Sequence, residues 1–134
     1  MGNLTEIIES YRRCMEHPGF FDRFYKNLFE ADRVIAGMFS ESDLEKQRTM
    51  IRKAVTTLIM KHSGVQSANL ALDRIADTHG KQGLNVTPYM YDVWIDTMVR
   101  TVREHDPECT LALSEAWRTM LQQGIAYINQ RGHG

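Results

Sequence analysis

Cysteine is scarce in this chain, and the patterns that mark β-strands are missing. Only two cysteines, Cys14 and Cys109, occur in 134 residues, and they form no Cys-x-x-Cys pair. A disulfide framework and a structural zinc site are therefore not expected, and a reducing, cytoplasmic setting fits. No segment shows sustained alternation of apolar and polar residues or an Asn-Gly or Asp-Gly turn, so the sequence predicts no β-sheet.

The chain also lacks an excess of charge of either sign and any long apolar run. Sixteen basic and seventeen acidic residues give a net charge of -1, which argues against a nucleic-acid surface. No apolar run is long enough to span a membrane, and the first ten residues are too polar for a signal peptide. With 43% hydrophobic residues, the chain is expected to fold as one domain, residues 1–134, around a real core.

Proline and helix-capping residues divide the chain into helices. Thr87-Pro88 and Asp106-Pro107 each pair a capping residue with proline at the first helical position, and residues 42–45 form a capping box. Apolar residues recur at helical spacing between these signals, so the sequence predicts an all-α chain. The predicted helices span about residues 4–16, 20–34, 43–62, 67–79, 88–105 and 107–129, with an irregular connection at 35–41, a loop at 80–86 and a frayed tail at 131–134.

A histidine lies at the end of one apolar helix face. Ala68, Leu72, Ile75 and Ala76 precede His79 at offsets that place all five residues on that face. An imidazole there is either a hydrogen-bonded core residue or a ligand, and the pattern alone favours the core residue. Three other histidines lie at predicted helix boundaries or in the tail and are expected to be exposed: His17, His105 and His133.

A glutamine presents a similar choice on the third predicted helix. Gln47 heads the face that also carries Ile51, Ala54, Val55 and Leu58. The basic residues of this helix lie largely elsewhere, so the face is predicted to point inward. Periodicity alone favours a first-turn glutamine at the rim, in contact with water, over one that reaches into a pocket.

One aromatic stretch carries a family resemblance: Phe24-Tyr25-Lys26-Asn27-Leu28-Phe29, with Phe39 fifteen residues after Phe24. It resembles the second helix and following corner of bacterial single-domain haemoglobins, and the globin domain of flavohaemoglobins is similar there too. The resemblance continues through Gln47, His79, the Pro88-x-x-Tyr91 pair and Ala116-Trp117, and it covers nearly the whole chain in the same order. It implies a globin fold of six to seven helices that holds haem b between the third (distal) and fourth (proximal) long helices.

The resemblance implies that His79 is the proximal ligand of the haem iron and that Phe39 packs against the haem. Tyr25 and Gln47 would take the two distal positions, where an O–H or N–H donor stabilises bound dioxygen by about 1–3 kcal/mol. A core tyrosine whose hydroxyl bonds a backbone carbonyl is the alternative for Tyr25. The remaining haem contacts that the resemblance implies are Ile51 on the distal wall, Leu84 and Val86 on the proximal side, Tyr91, and Trp94 as either a distal donor or a packing residue.

The chain departs from the family pattern in three places. The loop between His79 and Pro88 is about two residues longer than in the bacterial haemoglobins, and the corner between Phe39 and Gln47 is about two residues shorter. No acidic residue late in the last helix matches the partner that Tyr91 has in the family. A peroxidase-like push of electrons through the proximal ligand is therefore in doubt.

As function, the resemblance implies reversible binding of oxygen, nitric oxide and carbon monoxide, for oxygen transport or nitric oxide scavenging. Scavenging requires re-reduction of ferric iron, and because these residues hold no flavin- or nicotinamide-binding region, a separate reductase is the expected partner. The alternative is a haem-based gas sensor that acts through a partner protein or a homodimer. No catalytic residue is assigned, so a nitric oxide dioxygenase or peroxidase-like enzyme stays open, as does the choice between monomer and homodimer.

Overall fold

The structure is a computed structural model that describes the backbone of residues 2–38, 44–79 and 87–133 and the side chains of residues 4–38, 44–74 and 87–128. Every regular element in these ranges is an α-helix: α1 (Gly2–Met15), α2 (Phe20–Ala31), α3 (Arg33–Met38), α4 (Leu44–His62), α5 (Ala68–His79), α6 (Pro88–His105) and α7 (Leu111–His133). The predicted all-α fold is confirmed. The third to sixth predicted helices correspond to α4, α5, α6 and α7.

A short helix occupies the start of the predicted irregular connection. The Asp32 carboxylate accepts the backbone N–H of Ile35 at 3.0 Å, which is the bond made by a residue that caps a helix start. α2 therefore ends at Ala31 rather than at residue 34, and α3 follows from Arg33 to Met38. The apolar spacing hides this break, because it continues through Asp32 without interruption.

α7 begins at Leu111 and ends at His133, and both limits are later than predicted. The Thr110 hydroxyl caps the helix by accepting the Leu113 N–H at 3.1 Å. Asp106, the predicted cap, instead binds side chains of α1. The helix continues through residues 131–133, so the prediction of a frayed tail is wrong for these three residues.

α6 starts as the sequence predicts. Pro88 lies in its first turn, and the Thr87 hydroxyl accepts the Met90 N–H at 3.4 Å. The helix spans Pro88–His105, which are the predicted limits. The first half of the predicted capping box, residues 42–43, and the predicted loop at residues 80–86 lie outside the described residues.

α7 packs against four other helices, as α4 does. It contacts α1, α4, α5 and α6, while α2 packs against α3, α4 and α6. The largest fully buried side chains come from six helices: Trp117, Phe20, Phe24, Ile7, Leu28, Leu58, Leu72, Met98, Met120 and Leu121. Burial of this apolar surface is the main stabilising term of the fold. Within the described ranges, no helix has the length and apolarity that crossing a membrane requires.

A buried chain of hydrogen bonds ties α1 to the corner between α6 and α7. Trp117 Nε1 donates to Ser10 Oγ at 3.0 Å, and Ser10 Oγ donates to Asp106 Oδ2 at 2.6 Å. Arg13 Nε and Nη2 donate to the two oxygens of the same carboxylate at 2.6 and 3.0 Å. Asp106 therefore carries a buried charge that a bidentate arginine compensates.

α4 and α7 approach each other closely at Gly124. A Cβ atom on Gly124 would collide with the side chain of Leu58, which is 2% exposed and has little room to move. We expect Gly124→Ala to lower the free energy of unfolding by about 1–3 kcal/mol, because overpacking outweighs the helix propensity that alanine adds. Chemical denaturation measures this difference.

Gly37→Ala in α3 is the matched control, because a Cβ atom there meets nothing within 4 Å. This variant should be neutral or slightly stabilising, since alanine restricts the unfolded chain more than glycine does. If Gly124→Ala proved as stable as Gly37→Ala, the close approach of α4 and α7 would carry no energetic constraint.

Candidate functional site

Tyr25 lies on the buried face of α2, among aromatic rings. α2 buries one continuous face because its apolar residues recur at helical spacing. Tyr25 is 6% exposed, and the ring centres of Phe24 and Phe29 lie 5.3 and 5.8 Å from its own. Its hydroxyl is therefore the polar end of a largely apolar cluster.

The Tyr25 hydroxyl joins α2 to the first turn of α4. It donates a hydrogen bond to the backbone carbonyl of Gln47 at 3.1 Å. A backbone carbonyl is the partner that the sequence analysis gives as the alternative to a bound ligand for Tyr25. Gln47 itself is half-buried, so it lies at the rim without being fully in water.

The Tyr25 hydroxyl is protonated at neutral pH, as a tyrosine ordinarily is, and burial disfavours its anion further. Burial raises the pKa of Tyr25 well above the usual value of a tyrosine, and the nearby Arg48 opposes this shift only in part. The Arg48 guanidinium also pairs with Asp22 at 2.7 Å, on the surface. At neutral pH the hydroxyl is therefore a hydrogen-bond donor rather than an anion.

The inward face of α4 continues beyond Gln47 to the buried Ile51. Leu44 lies on the same face, one turn before Gln47, and it is 44% exposed. An inward helix face normally covers its leucines. α4 therefore presents an apolar face that the described residues cover only in part.

α6 brings Trp94 to the aromatic cluster of α2. The ring centres of Trp94 and Phe24 lie 5.8 Å apart, with the ring planes at 73°, in an edge-to-face arrangement. Phe24 therefore contacts both Trp94 and Tyr25, and Trp94 is half-buried. Tyr91, one turn earlier on α6, is buried, and its burial raises the pKa of its hydroxyl.

α5 carries the histidine that the sequence singles out. This helix packs against α4 and α7, and Leu72 is fully buried in it. His79 is its last residue. The side chain of His79 lies outside the described residues, as do Phe39, Leu84 and Val86, so their roles stay predictions.

One link beside the site has no counterpart among the sequence motifs. The Tyr89 hydroxyl donates to the Asp32 carboxylate at 2.8 Å. The N–H of Ile35 and then this hydroxyl hold the pKa of Asp32 below its usual range. The link ties the start of α6, which carries Tyr91 and Trp94, to the corner between α2 and α3. Only the capping position of Asp32 could have signalled it from the sequence.

The structure brings three of the predicted residues together: Tyr25, Gln47 and Trp94. Ile51 follows Gln47 on the buried face of α4, and we call these four residues the distal cluster after the role that the resemblance implies. Tyr25 contacts Gln47 directly and reaches Trp94 through Phe24. One buried hydroxyl donor among apolar and aromatic side chains suits an apolar ligand with one polar end. In the part of the chain that the structure describes, no group of three or more His, Cys, Asp or Glu residues could hold a bare metal ion.

Comparison with known proteins adds a fold-level match. No protein-family model matches the chain, and no curated protein matches it. The crystal structure of protein PA3967 from Pseudomonas aeruginosa PAO1, described as structurally highly homologous to a human haemoglobin, is similar over 97% of this chain and 98% of that one. The TM-score is 0.90 and the sequence identity is 29%. Together with the all-helical architecture, this likeness shows that the chain has a globin fold.

Proposed function

We propose that this haemoglobin-type protein holds haem b and binds oxygen reversibly, together with nitric oxide and carbon monoxide. The observation that carries the proposal is the buried, protonated hydroxyl of Tyr25, which lies beside Gln47 among apolar residues of α2, α4 and α6. A neutral donor in such surroundings can stabilise a small polar ligand without introducing a charge.

The described residues fit haem by their chemistry. Among the described residues, the inward face of α4 is covered only in part at Leu44, and Ile51 and Trp94 add apolar and aromatic surface. α5, which packs against α4, ends at His79. In this proposal His79 holds the iron, and the further haem contacts come from Phe39, Leu84, Val86 and Tyr91. Haem, when bound, supplies a ferrous iron that takes up diatomic gases.

The contribution of the chain to gas affinity is a hydrogen bond from Tyr25. Oxygen becomes a good acceptor on binding, and a hydrogen bond to it is worth about 1–3 kcal/mol in a dry pocket. Carbon monoxide is less polar and gains less. Because about 1.4 kcal/mol corresponds to a factor of ten, the hydroxyl can slow oxygen release by about one to two decades.

The backbone carbonyl of Gln47 competes for the same hydrogen. A neutral bond such as the one from Tyr25 is worth about 0.5–1.5 kcal/mol net. The carbonyl belongs to α4, so it keeps the N–H of Ile51 as its helical partner when the hydroxyl turns away. The Tyr25 hydroxyl can therefore donate to oxygen in place of the carbonyl. Because the bond to the carbonyl is lost, the net free energy that oxygen gains is smaller.

Tyr25→Phe should raise the oxygen dissociation rate of the haem-loaded protein by about two- to tenfold, because the variant loses a buried donor whose gain the competing Gln47 carbonyl has already reduced. Gln47→Leu should raise it by a smaller factor, since Gln47 is only half-buried. Rapid mixing of the oxygenated protein with excess carbon monoxide measures both rates.

Tyr11→Phe is the matched control for the loss of a hydroxyl. It removes another buried tyrosine hydroxyl, on α1, where the ring packs against Trp117 rather than in the distal cluster, and it should leave oxygen dissociation nearly unchanged. In Tyr25→Phe, carbon monoxide dissociation should change less than oxygen dissociation does. Unchanged oxygen dissociation in both Tyr25→Phe and Gln47→Leu would remove these residues from the proposal.

Two physiological roles use the same pocket. Reversible binding suits oxygen transport, and nitric oxide scavenging becomes possible when a separate reductase restores the iron. Cys14 and Cys109 are free thiols, which fits the reducing cytoplasm as the proposed compartment. Nitric oxide consumption, measured with and without a reductase, separates scavenging from transport.

A further inference from the structure

Two histidines outside the distal cluster lie side by side where the α1–α2 turn meets the end of α6. The ring centres of His17 and His105 are 5.2 Å apart, with the ring planes at 67°. The sequence predicts that both are exposed, but His105 is half-buried, because the Phe20 ring packs against it at 5.0 Å. The pair therefore combines one anchored ring with one accessible ring.

A hydrogen bond sets the tautomer of His105. Its Nδ1 lies 2.9 Å from the backbone carbonyl of Thr101. Because a carbonyl only accepts, Nδ1 carries the proton, and Nε2 of the neutral ring keeps its lone pair. Among the described residues, no group hydrogen-bonds to His105 Nε2 or to either ring nitrogen of His17. Metal-binding histidines commonly donate one ring N–H to a carbonyl in this way while the other nitrogen binds the ion.

The spacing of the two rings matches a shared ion. Tetrahedral coordination with Zn–N bonds of about 2.0–2.1 Å holds the centres of two imidazoles about 5 Å apart. The backbone of His17 is also held in place, because its N–H donates to the Cys14 carbonyl and its carbonyl accepts from the Phe20 N–H, each at 3.1 Å. The backbone of His17 is therefore fixed before an ion binds.

We propose that His17 and His105 form a binding site for a divalent transition-metal ion, Zn²⁺ or Cu²⁺, with solvent in the remaining coordination positions. Imidazole nitrogen favours these ions over Mg²⁺ and Ca²⁺, and Cu²⁺ binds most tightly. No third His, Cys, Asp or Glu of the described residues completes the site, so the ion is exchangeable. Its binding ties the α1–α2 turn to α6 and stabilises the folded state.

Titration of the untagged protein with Zn²⁺ and with Cu²⁺, followed by calorimetry, tests the proposal. We expect binding in the wild type and at least about tenfold weaker binding in His17→Gln, since losing a ligand weakens binding no less than losing an outer-shell partner does. His17 is exposed, so this variant should keep the wild-type helicity and melting temperature without metal. The electron paramagnetic resonance spectrum of bound Cu²⁺ should show two coordinating imidazoles in the wild type.

His62→Gln is the matched control. His62 also ends a helix, and its Nδ1 lies 3.2 Å from Gln123 Oε1, but no second histidine ring packs on it in the described part of the chain. This variant should bind both ions as tightly as the wild type does. Zn²⁺ should raise the melting temperature of His62→Gln by as much as it raises that of the wild type. Equal affinity in His17→Gln and wild type, or an equal loss in His62→Gln, would show that the two rings only pack against each other.

Discussion

Arg13→Met is expected to lower the free energy of unfolding by about 3–5 kcal/mol at neutral pH, because it leaves a buried carboxylate without a counter-charge. The side chain of Asp106 is 0% exposed, whereas that of Arg13 is 17% exposed. Ser10 and the Glu108 N–H still donate to the carboxylate in the variant, but neither carries a charge. Equilibrium denaturation in urea measures the difference.

The size of this loss depends on pH. Burial raises the pKa of Asp106, but the hydrogen bonds from Arg13, Ser10 and the Glu108 N–H outweigh it and hold that pKa below its usual range. A carboxylate with a lowered folded-state pKa contributes stability above its unfolded pKa of about 3.9, and the contribution disappears as the pH falls through the folded-state value. In the variant we expect the folded-state pKa of Asp106 to be higher than in the wild type, because the arginine that lowers it is gone. The gap between variant and wild type should therefore be widest at neutral pH and should narrow in acid.

Two variants bracket the effect of Arg13→Met. Arg12→Met removes a neighbouring arginine that is 67% exposed in its pair with Glu16, and such pairs contribute about 0–1 kcal/mol. Adding Asp106→Asn to Arg13→Met removes the buried charge and should restore part of the lost stability. An Arg13→Met variant as stable as Arg12→Met would mean that the buried carboxylate needs no counter-charge.

His79→Ala is expected to release haem more than about a hundredfold faster than the wild type. Loss of an outer-shell partner already weakens metal binding by about ten- to a hundredfold, and loss of the ligand itself must exceed that. Added imidazole should slow haem release again and restore the wild-type spectrum, because it supplies the missing nitrogen. Transfer of haem to an excess of a haem-scavenging protein gives the rates.

His62→Ala is the control for this variant. It removes a histidine from the end of α4 rather than from the end of α5, and haem release should stay at the wild-type rate. If His79→Ala kept both the spectrum and the release rate of the wild type, the iron ligand would have to lie elsewhere in the chain.

Helix limits could be predicted where the deciding contact is local. Thr87 and Pro88 are adjacent in sequence, and α6 starts where they predict. Asp106 carries the same capping signal before a proline, yet its carboxylate is bound by Arg13, 93 positions earlier. That long-range pair overrides the local cap, and the start of α7 moves to Leu111.

The site shows the same division between local and long-range information. Helical spacing is enough to place Tyr25 on the inner face of α2, because burial follows from periodicity. Its partner is the backbone carbonyl of Gln47, a group that every residue has and that no side-chain pattern distinguishes. The bond between Tyr89 and Asp32 spans 57 positions and belongs to no motif. Such pairs depend on how the helices pack, so the sequence alone does not reveal them.

The proposed binding of haem through His79 and of a gas beside Tyr25 is tested most directly by the visible absorption spectrum. The wild-type protein is purified after expression with ample haem, reduced, and then exposed to oxygen. We predict one haem b per chain, a five-coordinate ferrous spectrum, and a Soret band that shifts on oxygenation and returns when oxygen is removed. A folded, helical protein that shows no Soret band under these conditions would contradict the account.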